Sequence, residues 1–118
     1  MVKIVFPTLD DMGDTIGQHF GRVPYYAWFE IKEGKVSDQG IVPNDSEHFG
    51  GVGLPPERIS RLHPDVMIVL GMGSRAIAMF QDMNIAVLQA VGTKSAENIE
   101  LFIKGELEEL TEGCLHEH

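Results

Sequence analysis

Val66-Met67-Ile68-Val69-Leu70-Gly71-Met72-Gly73-Ser74-Arg75-Ala76 is the stretch that decides the fold. Five consecutive apolar residues without polar alternation describe a strand buried on both faces, as in a parallel sheet covered by helices on each side. The glycine turn then opens a helix. Ser74 stands at its expected cap, and Ala76, Ile77 and Phe80 recur at the spacing of one inner face. Asn84 closes that helix, and Ile85-Ala86-Val87-Leu88 supplies a second parallel strand. Right-handed crossovers are the expected connection between such strands.

Upstream, residues 2–6 are apolar and β-prone, and Pro7 is expected to end them. Tyr25 to Ile31 and Val36 to Val42 flank Glu33-Gly34-Lys35 and predict a β-hairpin, which makes the sheet mixed. Residues 8–23 and Pro43 to Gly53 read as two long polar loops. Pro55 and Pro56 suit the first turn of a short helix that carries Ile59 and Leu62 and stops at His63-Pro64. Ser95 is expected to cap a last helix, in which Ala96, Ile99, Phe102, Ile103, Leu107 and Leu110 keep the helical rhythm until Gly105 ends or kinks it. The order β-β-β-α-β-α-β-α predicts a single three-layer α/β domain with a mixed five-stranded sheet. The domain is expected over residues 1–104, with an acidic, flexible Cys/His tail over 105–118.

The chain has 118 residues and a formal net charge of −9, the charge balance of a poor nucleic-acid partner. Phosphate-backbone binding depends on clustered Lys and Arg, and here the nine are scattered. Much of the acidity belongs to the end of the chain, where Glu106, Glu108, Glu109, Glu112 and Glu117 follow Gly105 with no Lys or Arg among them. No apolar run approaches the roughly 20 residues of a membrane span. Met1 leads directly into a strand without signal-peptide organisation, so a cytoplasmic protein with no membrane partner is expected. A single cysteine, Cys114, rules out an internal disulfide framework and must be free, metal-bound or paired with another chain. A monomer or weak homo-oligomer is the expected state.

Three constellations bear chemistry. His19-Phe20-Gly21-Arg22 places an imidazole, an aromatic ring, a glycine and a positive charge in a loop where no core is expected to require them. Gly71 and Gly73 lie at a strand-to-helix turn, where backbone N–H groups and the helix dipole favour an anion, and Arg75 adds a charge that is otherwise misplaced there. If the first and fourth strands are neighbours, both groups share the carboxyl edge of the sheet, where ligands of open α/β folds gather. His48, in the second loop, would close over them, although a lone loop histidine is ordinarily just solvated. Cys114, His116 and His118 offer thiolate and imidazole ligands of the kind taken by zinc, copper and iron–sulfur centres. Met67, Met72, Met79 and Met83 are read as core packing rather than copper ligands. A third glycine and a distal acid are missing for a dinucleotide site. Asp10, Asp11 and Asp14 raise a Mg²⁺-dependent hydrolase as an alternative, weakened because strands 2–6 and 66–70 hold no carboxylate.

Together these residues resemble the dinitrogenase iron–molybdenum cofactor biosynthesis family, which includes the NifX and NafY carriers and the C-terminal domain of NifB. The resemblance rests on His19-Phe20-Gly21-Arg22, Gly50-Gly51-Val52-Gly53, Gly71 to Ala76, Asn84-Ile85, Gly105-Glu106-Leu107 and the Cys/His tail, in that order along nearly the whole chain. It implies a ribonuclease H-like fold without nuclease activity. It also implies a non-enzymatic carrier or chaperone that takes an iron–sulfur or iron–molybdenum-type cluster from cluster-donor proteins to cluster-acceptor proteins. The position matching the family's histidine is His19, the expected ligand or close contact. Arg22 and Arg75 would offset the cluster's charge, with Cys114, His116 and His118 as auxiliary metal ligands. The alternative of a different class is a metal-independent protein-interaction or regulatory module that uses the same loop edge.

Overall fold

The computed structural model describes residues 1–44 and 59–110. Five strands form one sheet: β1 (Val2–Thr8), β2 (Tyr25–Lys32), β3 (Lys35–Pro43), β4 (Val66–Val69) and β5 (Ala86–Gln89). Their spatial order is β3-β2-β1-β4-β5. The hairpin strands run antiparallel on one side of β1, and β4 and β5 run parallel to it on the other. Two helices follow in the second half of the chain, α1 (Ser74–Asp82) and α2 (Ser95–Ile103). Most of the short helix expected from Pro55 lies outside the described residues. Its end is a 3₁₀ turn over Ser60–Leu62, stopped where His63 adopts the left-handed conformation at φ 54°.

The strand residues alternate between two apolar clusters, which makes the domain three layers. Val5, Tyr26, Met67, Val69 and Val87 face Ile77 and Phe80 of α1. Ile4, Phe6, Ala27, Phe29, Val66 and Ile68 face the opposite side, with Ile99 of α2. All of β4 is buried, as its unbroken apolar run requires. The fourth strand docks beside the first at Ile4↔Val66 and Val5↔Met67. Asp65 secures that register, since its N–H donates to the Lys3 carbonyl (2.8 Å) and its carboxylate accepts the Lys3 N–H (2.8 Å).

Turn chemistry accounts for the boundaries. Glu33 (φ 54°) and Gly34 (φ 76°) form a two-residue hairpin loop with both φ values positive, the turn whose twist matches that of its strands. Asn84 (φ 63°) ends α1, with its N–H on the Gln81 carbonyl and that of Ile85 on Phe80. Gly105 (φ 73°) ends α2 in the same way, with Glu106 N–H returning to Leu101. Both are Schellman closures, in which a left-handed residue lets the last carbonyls find donors.

Several expectations change. Pro7 does not end β1, which continues to Thr8. The Pro7 carbonyl accepts the Gly17 N–H rather than a strand partner, so the missing proline N–H faces the same side and breaks no ladder. Gly73 and Lys94, not Ser74 and Ser95, occupy the cap positions, and neither makes a side-chain cap bond. The buried Ser95 hydroxyl instead donates to the Gly13 carbonyl and pins the loop after β1 to α2. Leu107 and Leu110 do not extend α2. Residues beyond Gly105 turn back along β5, where Gln89 N–H donates to Glu108 O (2.8 Å) and Leu110 N–H to Val87 O (2.7 Å). The segment expected to be tail from 105 is thus held on the sheet as far as Leu110, and residues 111–118 lie outside the described ones.

Asn98 is fully buried, and its amide locks the turn between β5 and α2. Its oxygen accepts the Val91 N–H (2.7 Å), while its nitrogen donates to the carbonyls of Val91 (3.0 Å) and Lys94 (2.9 Å). Removing it leaves the part-buried N–H and carbonyl of Val91 without these partners and empties a buried site. Asn98→Ala is therefore expected to lower stability by about 2–3 kcal/mol in urea unfolding.

Candidate functional site

The β1–β4 pairing brings the loop after β1 and the turn after β4 to one edge of the sheet. Between them lies a cleft of about 420 Å³, with Gln18 to Arg22 on one wall and Gly71 to Gly73 on the other. That volume falls in the range of about 300–1,000 Å³ typical of small-ligand sites. His19 and Arg22 are exposed at its rim. Phe20 and Met72, 7% and 3% exposed, are the buried members of the lining.

Phe20 corrects one expectation. It lines the cleft, but it also belongs to the core, edge-on to Phe80 at 5.4 Å and tilted against Tyr26 at 6.1 Å. The ring anchors the 3₁₀ turn Phe20–Arg22 to the sheet and so sets where His19 and Arg22 stand. Ile16 and Val23 are likewise buried, so this polar-looking loop is bolted down by three apolar residues.

The polar part of the loop is fixed by Asp10, whose carboxylate accepts the N–H groups of Met12 (3.2 Å), Asp14 (3.1 Å) and Thr15 (2.9 Å). Partial burial alone would raise its pKa, but the backbone hydrogen bonds outweigh it and hold the carboxyl below the ordinary carboxylate value. Asp10 thus spends its lone pairs on the backbone. Among the described residues, no group of three or more His, Cys, Asp or Glu side chains is arranged to hold a metal ion.

The opposite wall is built from two glycines that the local structure does not need. Neither has positive φ, and Gly73 is an extended N-cap at φ −69°, ψ 157°. A Cβ on Gly73 would meet no described atom within 4 Å, and one on Gly71 would meet only the Gln18 carbonyl at 3.9 Å. What their missing side chains leave is open cleft beside the first-turn N–H groups of α1, which have no partner within the helix. This is the anion-favouring end of the helix. Arg75 is exposed in that first turn, outside the lining of the cleft.

Of the expected site residues, the fold brings together His19, Phe20, Gly21, Arg22, Gly71 and Gly73, and sets Arg75 in the adjoining first turn, outside the lining. His48, Cys114, His116 and His118 lie outside the described residues. Gln18 and Met72 are lining residues that the motifs did not single out. Met72 belongs to the core, as its expected packing role requires, and also lines the cleft.

A mixed α/β sheet with a glycine-walled, anion-favouring cleft at the carboxyl ends of adjacent parallel strands defines the class. A family model described as dinitrogenase iron–molybdenum cofactor matches residues 1–105, and the chain belongs to that family. It is 30% identical to an uncharacterized protein of Methanocaldococcus jannaschii over 110 residues, which cover 92% of this chain and 91% of the relative. Among solved structures, a candidate dinitrogenase of the same organism superposes with a TM-score of 0.78 at 21% identity, covering 94% of this chain and 96% of that one. The apo form of the orange protein from Desulfovibrio gigas superposes at 0.82 with 16% identity, covering 96% of each chain. At these identities the two structures establish a shared fold. No helix among the described residues is long and apolar enough to cross a membrane.

Asp10 generates a signed expectation. Because its native pKa is depressed, its contribution is present at neutral pH and is lost as pH falls from 3.8 through the lower native value. Asp10→Ala should cost about 1–2 kcal/mol at pH 7. The difference from wild type should shrink in urea melts taken progressively below pH 3.8.

Proposed function

We propose that this protein is a non-enzymatic carrier for an anionic metal–sulfur cluster of the iron–sulfur or iron–molybdenum type, received from a donor protein and passed to an acceptor. The cluster is cargo, held reversibly in the cleft between the His19 loop and the glycine turn. One observation carries the reading. Gly71 and Gly73 are demanded by neither backbone conformation nor packing, and their bareness keeps a wall of helix N-terminal amides open to a bulky ligand. Membership of a family associated with the iron–molybdenum cofactor supplies the chemical class of that ligand.

Each residue then has a defined task. Among the described rim residues, the His19 imidazole is the borderline ligand, and it touches the metal centre directly. Arg22 and the α1 amides balance the anion's charge without strong covalent ligation, which suits cargo that must leave again. Arg75 contributes longer-range attraction from the same helix turn. Phe20 and Met72 give the cleft an apolar, polarizable floor that suits sulfide better than water.

Anaerobic titration with tetrathiomolybdate, a molybdenum–sulfur dianion with strong visible absorption, tests this. Wild-type protein is expected to shift the spectrum saturably, and His19→Ala to lose most of the shift. Gly73→Asp is the sharper variant, since aspartate is a better N-cap than glycine yet places a carboxylate in the anion's space. It should melt at the same or a higher temperature and bind at least tenfold more weakly, about 1.4 kcal/mol. An unshifted wild-type spectrum would favour the metal-independent interaction module instead.

A further inference from the structure

A backbone that binds an anion has a problem with its own carbonyl oxygens, which repel the ligand its N–H groups attract. This matters most in a short 3₁₀ turn, whose last carbonyls have no partner within the turn. Several carbonyls around the cleft are engaged by donors, while that of Gln18 lies 3.9 Å from where a Gly71 Cβ would stand. The His19 carbonyl accepts the Arg22 N–H at 2.9 Å. The Phe20 carbonyl accepts the Tyr26 hydroxyl at 2.9 Å, from a tyrosine 2% exposed. The Asn44 amide nitrogen donates to the carbonyls of Gly21 (3.3 Å) and Val23 (2.7 Å), and Asn44 is itself 6% exposed. Across the cleft the same thing happens just before the glycine turn, where the Gln89 amide donates to the Leu70 carbonyl at 2.9 Å.

Resting on the anion reading above, we propose that Tyr26 and Asn44 are positioning residues that set the cleft's preference for anions by drawing the carbonyls of Phe20, Gly21 and Val23 inward. They do not touch the ligand. Both stand at the open end of the β2–β3 hairpin, at the Tyr26↔Val42 pair and directly after the Pro43 that pairs with Tyr25. From there they reach the underside of the loop whose upper side carries His19 and Arg22. Without them, those oxygens are free to turn toward the cleft, and a dianion meets negative dipoles beside the positive ones. The arrangement also preorganises the loop, so that binding does not have to order it.

The test is the tetrathiomolybdate titration, followed by absorbance and by the Gly73 amide resonance, on wild type, Tyr26→Phe, Asn44→Ala and Asn98→Ala. Tyr26→Phe keeps the ring that packs on Phe20 and deletes the hydroxyl. Asn98→Ala is a control, because it removes a buried amide that is not part of the cleft's lining and destabilises the whole fold. The expected result is binding about threefold weaker in Tyr26→Phe and about tenfold weaker in Asn44→Ala, with wild-type affinity in Asn98→Ala. At saturation the Gly73 resonance should reach the wild-type position in every variant, so the bound state is intact and only the affinity differs. Should Asn44→Ala not fold, Tyr26→Phe decides alone. Wild-type affinity in Tyr26→Phe, or an equal loss in Asn98→Ala, overturns the positioning role while leaving the anion reading standing. Failure of wild type to bind overturns both.

Discussion

The parallel pairing of β1 with β4 is the constraint on which the rest of this molecule depends. It joins residues sixty positions apart at Ile4↔Val66 and Val5↔Met67, with Asp65 holding both backbone groups of Lys3. Short as it is, the ladder makes one sheet of the hairpin half and the helical half. It also places the carboxyl ends of two neighbouring core strands side by side, where two loops far apart in sequence must face each other. The cleft is a product of topology before it is a product of side chains.

Given that juxtaposition, the chemistry of the edge follows from how backbone polarity is managed. The carbonyls of Phe20, Gly21, Val23 and Leu70 are taken by the side chains of Tyr26, Asn44 and Gln89. Rigidity comes from several sources at once: Phe20 in the core, Asp10 on three amides, the Ser95 hydroxyl on the Gly13 carbonyl. A loop so restrained resembles a piece of scaffold more than a lid. A site already shaped before a ligand arrives gives up little conformational entropy on binding.

What could be read in the sequence was whatever rests on local pattern. The unbroken apolar run of β4, the Glu33-Gly34 turn and the endings at Asn84 and Gly105 are each encoded within a few residues of themselves. The facing of His19 and Gly71 was legible only on the condition that β1 and β4 are neighbours. Tertiary partners were not legible. Nothing near Phe20 announces that Phe80 will cover it, and nothing near Ser95 announces that its hydroxyl serves a loop eighty residues upstream rather than its own helix. Tyr26 read as a strand aromatic, which it is, and Asn44 had no motif around it. Leu110 kept a helical spacing from α2 by coincidence, and the left-handed Gly105 overrode that period.

The return of Glu108 to Leu110 along β5 has a consequence for anyone trimming this domain. Cutting the chain where the family match stops, near residue 105, would strip β5 of its only described partner on that side and leave a row of unpaired backbone groups. Such an edge is a template for other copies, and its cover lies beyond the recognisable sequence signature. Three residues of backbone pairing, chemically unremarkable in themselves, act as a selvedge that keeps the fabric of the sheet from running on into its neighbours.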